Sequence, residues 1–365
     1  MSVIFVDEIL GGLDRQDPAA LARAISLVEN ERDGFERVLA HAYAQPGRGA
    51  ARRIGLTGPP GAGKSTLTER LIREFRDAGQ RVGVIAVDPT SPFTGGALLG
   101  DRIRMESASL DPEVFIRSMA TRGSRGGLAT TTEEVADLLE AFGFERILIE
   151  TVGVGQTELD IAASAETTVL VLVPESGDGI QTLKAGVMEI ADIYLINKSD
   201  RPGADKLRHE IETMLAIRRG NATRHLAPPK PRARPTELAT HGAGPSPLPP
   251  PPPPPPVPAE VPDAWQPPVL ATVATQGQGI AELVAALERH HGHLRASGEL
   301  ATRRRERLRR RLHAVVERGM RQWLWETTAA RELVAARLDD VAGGRRNPYE
   351  VAAEILQQVK QDVHG

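Results

Sequence analysis

Gly58-Pro59-Pro60-Gly61-Ala62-Gly63-Lys64-Ser65-Thr66 satisfies the pattern G-x-x-x-x-G-K-[ST] in full. Its glycines let the backbone wrap closely round phosphate oxygens, and successive N–H groups with a helix N-terminus supply positive potential. In such a loop Lys64 reaches the β- and γ-phosphates, and the Ser65 hydroxyl takes a place on Mg²⁺. The pattern has meaning only between a strand and a helix. Both flanks fit, because Ile54-Gly55-Leu56-Thr57 reads as a strand and Leu67–Phe75 as a helix. A glycine-rich turn matching by chance would lack those flanks. The expected ligand is a nucleoside triphosphate.

Asn197-Lys198-Ser199-Asp200 follows the apolar run Ile193-Tyr194-Leu195-Ile196, at the C-terminal end of another expected strand. Ligands of open α/β sheets bind at such strand ends. The Asp200 carboxylate can accept from both the ring N–H and the exocyclic amine of guanine. Adenine has no such donor pair, and an unpaired carboxylate opposite it is penalised. Asn197 is expected to fix the loop and meet the base edge, while the Lys198 stem covers the ring face. Alone, N-K-x-D is a common string that also suits a polar turn. Downstream of a phosphate loop, it points to guanine.

These groups must be held by a framework, and the hydropathy pattern supplies one. Apolar runs at Ile54–Thr57, Val82–Val87, Val114–Ser118, Arg146–Glu150, Thr168–Val173 and Ile193–Ile196 alternate with helical segments. That order implies an α/β fold, a mostly parallel sheet with helices on both faces. A continuous run such as Val169-Leu170-Val171-Leu172-Val173 fits a strand buried on both sides. The chain divides into an N-terminal helical extension (1–50), the main part of a nucleotide domain (51–225), an insertion (226–262), a last strand and helix (263–297) and a helical tail (298–365). In the extension, Leu21, Ala24, Ile25 and Val28 recur at helical spacing, as do Phe35, Val38, Leu39 and Ala42. The closing strand is expected at Val269–Ala274 and its helix at Ile280–Leu287.

Pro249–Pro256 can only be extended polyproline II, and the surrounding composition cannot build a core. The insertion reads as disordered or semi-rigid: a tolerated loop expansion, or a docking site for an aromatic-grooved partner. In the tail, Leu308, Leu312, Val315, Val316, Trp323 and Leu324 recur on one face. Arg303-Arg304-Arg305 and Arg309-Arg310-Arg311 read as a solvated or subunit-contacting surface, since no nucleic-acid motif accompanies them.

The 365 residues carry 45 basic and 48 acidic side chains, a net charge of −3 that exerts no global pull toward nucleic acid or membrane. Cysteine is absent, which excludes disulfides, thiolate metal sites and a cysteine nucleophile. No run approaches the roughly 20 apolar residues of a membrane span, and the first ten residues lack the basic start of a signal peptide. A cytoplasmic protein is expected. His41, His225, His241 and the group His290-His291-His293 read as surface residues rather than metal ligands.

With these motifs in place, three more become informative. Val87-Asp88-Pro89-Thr90-Ser91-Pro92, Leu99-Gly100-Asp101-Arg102-Ile103-Arg104-Met105 and Glu150-Thr151-Val152-Gly153-Val154-Gly155-Gln156 resemble the MeaB/ArgK/MMAA family. Arg23–Glu29 is similar to that family's N-terminal helix. The family comprises P-loop GTPases of the signal-recognition-particle/MinD branch that act as chaperones of adenosylcobalamin-dependent methylmalonyl-CoA mutase. The resemblance implies GTP/GDP and Mg²⁺ as cofactors, such a mutase as partner, and a homodimer formed through the C-terminal arm. It implies that Glu150 serves the Mg²⁺ shell or water placement, with Asp88 and Asp101 as further metal-shell carboxylates and Gly153 giving its N–H to the γ-phosphate. Gly177–Lys184 looks like the family's third switch segment, from which Gln181 or Lys184 reaches the site when the mutase is bound. Arg104 is a candidate phosphate cation or a surface salt-bridge partner. The insertion departs from the family pattern. So does Val273-Ala274, where such GTPases often carry Ser-Ala, which leaves the Ala274 N–H as the expected base contact.

Rival readings share the nucleotide residues. They are a GTPase switch with an unrelated effector, a protein-kinase-type transferase, whose catalytic-loop motif is missing, and a non-catalytic GTP-binding scaffold that docks partners through the proline run.

Overall fold

The computed structural model describes residues 3–45, 49–88, 110–120, 128–151, 164–174, 188–224 and 264–364. Seven strands are present: β1 (Arg52–Thr57), β2 (Val82–Asp88), β3 (Val114–Ala120), β4 (Arg146–Thr151), β5 (Thr167–Leu172), β6 (Ile193–Asn197) and β7 (Val269–Thr272). They form one sheet in the order β3-β2-β4-β1-β5-β6-β7, with every pairing parallel. The expected strands all form, within a residue or two at each end. The last one stops at Thr272 because Ala274 opens a short 3₁₀ turn, Ala274–Gln276.

Ten helices accompany the sheet among the described residues: α1 (Val3–Asp14), α2 (Pro18–Glu29), α3 (Phe35–Ala44), α4 (Lys64–Asp77), α5 (Leu128–Ala141), α6 (Ala204–Arg224), α7 (Ile280–Ala296), α8 (Glu299–Glu326), α9 (Ala330–Ala342) and α10 (Pro348–His364). Helix α2 starts where the Asp17 carboxylate accepts from the Ala19 N–H and Pro18 occupies the first turn, where its missing N–H costs nothing. The tail is helical as expected, in three pieces.

Successive side chains of a strand point to opposite faces. Val169 and Val171 of β5 therefore join Ile54, Leu56 and Leu148 under α4 and α7, against Leu67, Leu71, Phe75, Leu283 and Leu287. Leu170 and Leu172 point the other way, with Tyr194 and Ile196 under α6. On that second face, Ile85, Val87, Ile147 and Ile149 lie beneath α5, which the N-terminal helices cover in turn through Ile9, Leu21, Ile25 and Val38. Each such buried aliphatic side chain contributes roughly 1.5–3 kcal/mol. The N-terminal extension is thus part of the main core.

Between those two clusters β1 presents Arg53 rather than an apolar side chain. Its guanidinium, 3% exposed, pairs with Asp137 at 2.5 Å and Glu140 at 2.9 Å, both on α5. Burial opposes the Arg53 charge, but the two carboxylates outweigh it and raise its pKa. Helix α8 docks on the same charged layer. Arg311 pairs with Asp137, Arg318 with Glu134 and Glu31 at 3.1 Å each, Arg304 with Glu166 at 2.6 Å and Arg303 with Asp192 at 3.0 Å.

This corrects the reading of the tail's basic runs. Arg305, Arg309 and Arg310 are exposed, as a solvated surface requires, but Arg303, Arg304 and Arg311 turn inward onto buried carboxylates. The apolar residues of that helix divide along its length. Leu308, Leu312 and Val316 are 46%, 64% and 56% exposed, whereas Trp323 and Leu324 pack on the cluster of Val351, Ile355 and Val359.

The histidine group needs the same correction. His290 is fully buried, with Nδ1 2.8 Å from Thr167 Oγ1, Nε2 3.3 Å from Asp192 Oδ1 and the Trp265 ring over it at 4.7 Å. His291 is partly buried, and burial together with Arg52 and Arg304 pushes its pKa down to about 4. It is therefore neutral at pH 7. The proline insertion lies outside the described residues. Among those that are described, no helix is long and apolar enough to cross a membrane.

Candidate active site

The phosphate loop runs from the C-terminal end of β1 into α4, beside the point where the chain turns from β2–β4 on one side of β1 to β5–β7 on the other. A crevice at that reversal is where open α/β sheets take ligands. Two glycines explain the loop's shape. Gly58 has φ 139°, and a Cβ there would run into the Val171 carbonyl oxygen of β5. Gly63 has φ 88°, and a Cβ there would strike the Asn197 side-chain amide. Gly63 also caps α4 with no side-chain acceptor, so the first N–H groups of that helix are directed at whatever the loop binds.

Lys64 opens α4 and is 6% exposed. Its ammonium donates to the Gly58 carbonyl at 2.7 Å and the Pro59 carbonyl at 3.0 Å, which keeps it inside the loop. Pro60 and Gly61 form the exposed rim, and Ala62 is buried beneath it.

Ser65 meets Glu150 across the strand end. Its hydroxyl donates to Glu150 Oε1 at 2.7 Å. Glu150 shares its strand face with Leu148, two residues back, and that face is the one α4 covers. Thr68, one helical turn beyond Ser65, is fully buried with Oγ1 2.7 Å from Glu150 Oε2. The motif reading missed Thr68. Its spacing from Ser65, which puts both on one side of the helix, was the available signal.

Mg²⁺ fits this donor set. Ser65 and Glu150 offer only hard oxygens, and Mg²⁺ commonly takes one or two protein oxygens with waters and substrate phosphates. The Ser65 proton is committed to the carboxylate, which leaves its oxygen lone pairs for a cation. Among the described residues, no group of three or more His, Cys, Asp or Glu gathers as a metal site. Thr57 and Thr151, at the ends of neighbouring strands, join their hydroxyls at 3.3 Å below the loop.

The guanine motif comes to the same end of the sheet. Asn197, 2% exposed, donates to the Ala62 carbonyl at 2.8 Å. Its oxygen accepts from Ala274 N at 3.1 Å and Thr272 Oγ1 at 3.3 Å. The Ala274 N–H, expected to face the base, is thus engaged by Asn197. Arg70 of α4 holds the same turn from outside, donating to the Ala274 carbonyl at 2.8 Å and the Thr275 carbonyl at 2.5 Å. Lys198 has φ 56°, a left-handed conformation that its neighbours must hold. The Ser199 N–H to the Thr272 carbonyl, at 3.0 Å, is one such restraint. Asp200 stands exposed at the end of this turn.

The structure therefore brings together Gly58–Thr66, Glu150, Asn197, Lys198, Asp200 and Ala274. Asp88 ends β2, but its side chain is outside the described residues, as are Asp101, Arg104, Gly153, Gln181 and Lys184.

The family model of the methylmalonyl-CoA mutase-associated GTPase MeaB matches residues 21–329. The chain belongs to the MeaB family. It is a GTPase, and its ligand is a guanine nucleotide. A Pyrococcus abyssi protein provisionally named as a GTPase is 42% identical over 354 residues, covering 97% of each chain. The Mus musculus methylmalonic aciduria type A homolog, named as mitochondrial, is 32% identical over 371 residues, covering 98% of this chain and 80% of its own. The Escherichia coli GTPase ArgK is 38% identical over 221 residues, covering 58% and 66%. A crystal structure of a LAO/AO transport system kinase superposes with a TM-score of 0.63 at 24% identity over 99% of both chains. That likeness concerns the fold, and it extends through the tail.

Proposed function

We propose that this MeaB-family GTPase serves an adenosylcobalamin-dependent acyl-CoA mutase, methylmalonyl-CoA mutase above all. Its nucleotide cycle gates cobalamin loading and protects the mutase from inactivation. The observation that carries the reading is the family match across residues 21–329, which takes in the phosphate loop, Glu150 and the guanine motif together. The mouse relative, whose name is that of a methylmalonic aciduria, points the same way.

In this account Lys64 neutralises charge on the transferring phosphoryl group, and Ser65 and Glu150 hold Mg²⁺ with Asp88 and Asp101 completing its surroundings. Mg²⁺ would supply charge compensation for the nucleotide's phosphates. Asp200 accepts from the guanine edge, and Asn197 braces the loops on either side of it. Gly153 donates to the γ-phosphate, and Gln181 or Lys184 enters on contact with the mutase. A homodimer assembles through the tail. The outward aliphatic face of α8, with Leu308, Leu312 and Val316, supports that reading, since such a stripe gains from cover. The protein acts in the compartment that holds its mutase, expected to be the cytoplasm.

The test is calorimetric titration of purified methylmalonyl-CoA mutase into the protein loaded with a non-hydrolysable GTP analogue, and separately with GDP. Saturable binding whose affinity depends on the nucleotide is expected. No heat in either state, with binding to some unrelated protein instead, would leave a GTPase with a different effector.

A further inference from the structure

Among the side chains around Glu150, Thr68 has no part in any motif, yet its hydroxyl is placed as closely as that of Ser65. We propose that Thr68 is a positioning residue for the metal half of the site, holding one oxygen of Glu150 so that the other is presented beside Ser65. This rests on the reading that Glu150 and Ser65 serve Mg²⁺.

The two contacts clamp the carboxylate at both ends. Ser65 Oγ is 2.7 Å from Oε1 and Thr68 Oγ1 is 2.7 Å from Oε2. The hydroxyls sit three residues apart on one face of α4, so a single rigid element sets the plane of the carboxylate. A carboxylate held at one oxygen still turns about its terminal bond, and one held at both does not.

The chemistry separates the two hydroxyls. A helical threonine ordinarily donates to the carbonyl four residues back. For Thr68 that acceptor is the Lys64 carbonyl, present at 3.0 Å. One hydroxyl proton faces two acceptors, and the anionic one gives the stronger, charge-assisted bond. Thr68 is fully buried beneath the loop, whereas Ser65 lies at the loop itself and is half-buried. Thr68 is thus the anchor, and Ser65 is the hydroxyl available to a cation.

A purely packing role predicts that valine, which matches threonine in shape, replaces it without consequence for the metal. The distinguishing measurement is the affinity of a fluorescent GDP analogue in saturating Mg²⁺ and in EDTA, whose ratio reports the coupling between metal and nucleotide. Partners of metal-binding groups typically contribute about 10- to 100-fold to metal affinity. Thr68→Val should therefore reduce the ratio at least about tenfold, with the affinity in EDTA within about twofold of wild type. Thr68→Ser, which retains the hydroxyl, should restore it. If Thr68→Val does not fold, Thr68→Ala makes the same comparison without steric demand.

An unchanged ratio in Thr68→Val, an equal loss in Thr68→Ser, or a loss of the same size in EDTA would overturn the proposal. Glu150→Gln separates the two levels. If it loses the coupling while Thr68→Val keeps it, Thr68 alone is misassigned. If it keeps the coupling, the metal role of Glu150 is itself wrong.

Discussion

The Asn197 side chain joins the Ala62 carbonyl at 2.8 Å to the Ala274 N–H at 3.1 Å, so one buried amide connects the phosphate loop to the turn after β7. Its position explains why both loops share one geometry. Asn197→Ala leaves a buried carbonyl and a buried N–H without partners, at about 1–3 kcal/mol apiece. The variant is expected to melt several degrees lower and to bind GTP and GDP more weakly by similar factors. A melting temperature equal to wild type would mean the brace carries no load.

The residue proposed to set base selectivity is Asp200, exposed at the end of its turn. Asp200→Asn should weaken GTP binding by about 2 kcal/mol, roughly 30-fold, the scale of a hydrogen bond to a charged group. Xanthosine triphosphate, which offers a carbonyl where guanine offers an amine, should recover much of it. Competition binding checks both, and ATP displacing GTP from wild type at equal concentration would contradict the assignment.

Lys64→Ala should lower GTP turnover by at least about 10³-fold, because in the proposed mechanism its charge neutralises the transferring phosphoryl group. The circular-dichroism spectrum should remain that of wild type, since the Lys64 ammonium donates to the carbonyls of Gly58 and Pro59 within the loop itself.

The charged layer between α5 and α8 makes a pH-dependent prediction. Burial pushes the Glu133 carboxyl up to about 7 from an ordinary 4.5, although Arg307, Arg311 and Arg53 pull it down. The folded protein then holds a proton that the unfolded chain releases, so stability falls as pH rises from about 4.5 to 7. Glu133→Gln keeps the neutral form at every pH. Urea unfolding should show it more stable than wild type by about 3 kcal/mol at pH 8, at about 1.36 kcal/mol per pH unit, and equal near pH 4. A difference independent of pH would contradict the cause.

Arg311 works in the opposite sense. Burial disfavours the Asp137 charge, but Arg53 and Arg311 outweigh it and hold the carboxyl at about 2. That pair stabilises the fold above about pH 4, and the contribution fades as pH falls toward 2. Arg311→Met removes one partner of a buried carboxylate and should cost about 3 kcal/mol at pH 7. The deficit should shrink in acid.

Much of this architecture was legible in the sequence. The strands announced themselves because a sheet covered on both faces needs runs such as Val169–Val173, and the phosphate loop and Asn197–Asp200 then fell at strand ends. Thr68 was legible only through its spacing from Ser65, because nothing in its type distinguishes a threonine bonded to Glu150 from one that only fills space in a helix. The tail misled for a physical reason. An aliphatic stripe on a helix ordinarily faces the core, but α5 presents Glu134 and Asp137 one turn apart, and these carboxylates draw Arg318 and Arg311 inward and leave Leu308 and Leu312 outside. That acidic spacing, on a helix whose Val135, Leu138 and Leu139 sit in the core, was the signal to read. His290 was misjudged for a similar reason, since its partners Thr167 and Asp192 come from distant strand ends.

The most direct test of the central claim is GTP turnover by the purified protein with and without purified adenosylcobalamin-dependent methylmalonyl-CoA mutase. Phosphoryl-transfer rates rise by about 10³-fold or more when a complete charge-stabilising group is supplied, and by less when a partner only positions existing ones. The account predicts slow basal turnover, a clear rise on adding mutase, and a Lys184→Ala variant that loses most of the rise while keeping the basal rate. Equal turnover with and without every cobalamin-dependent mutase tried would contradict it.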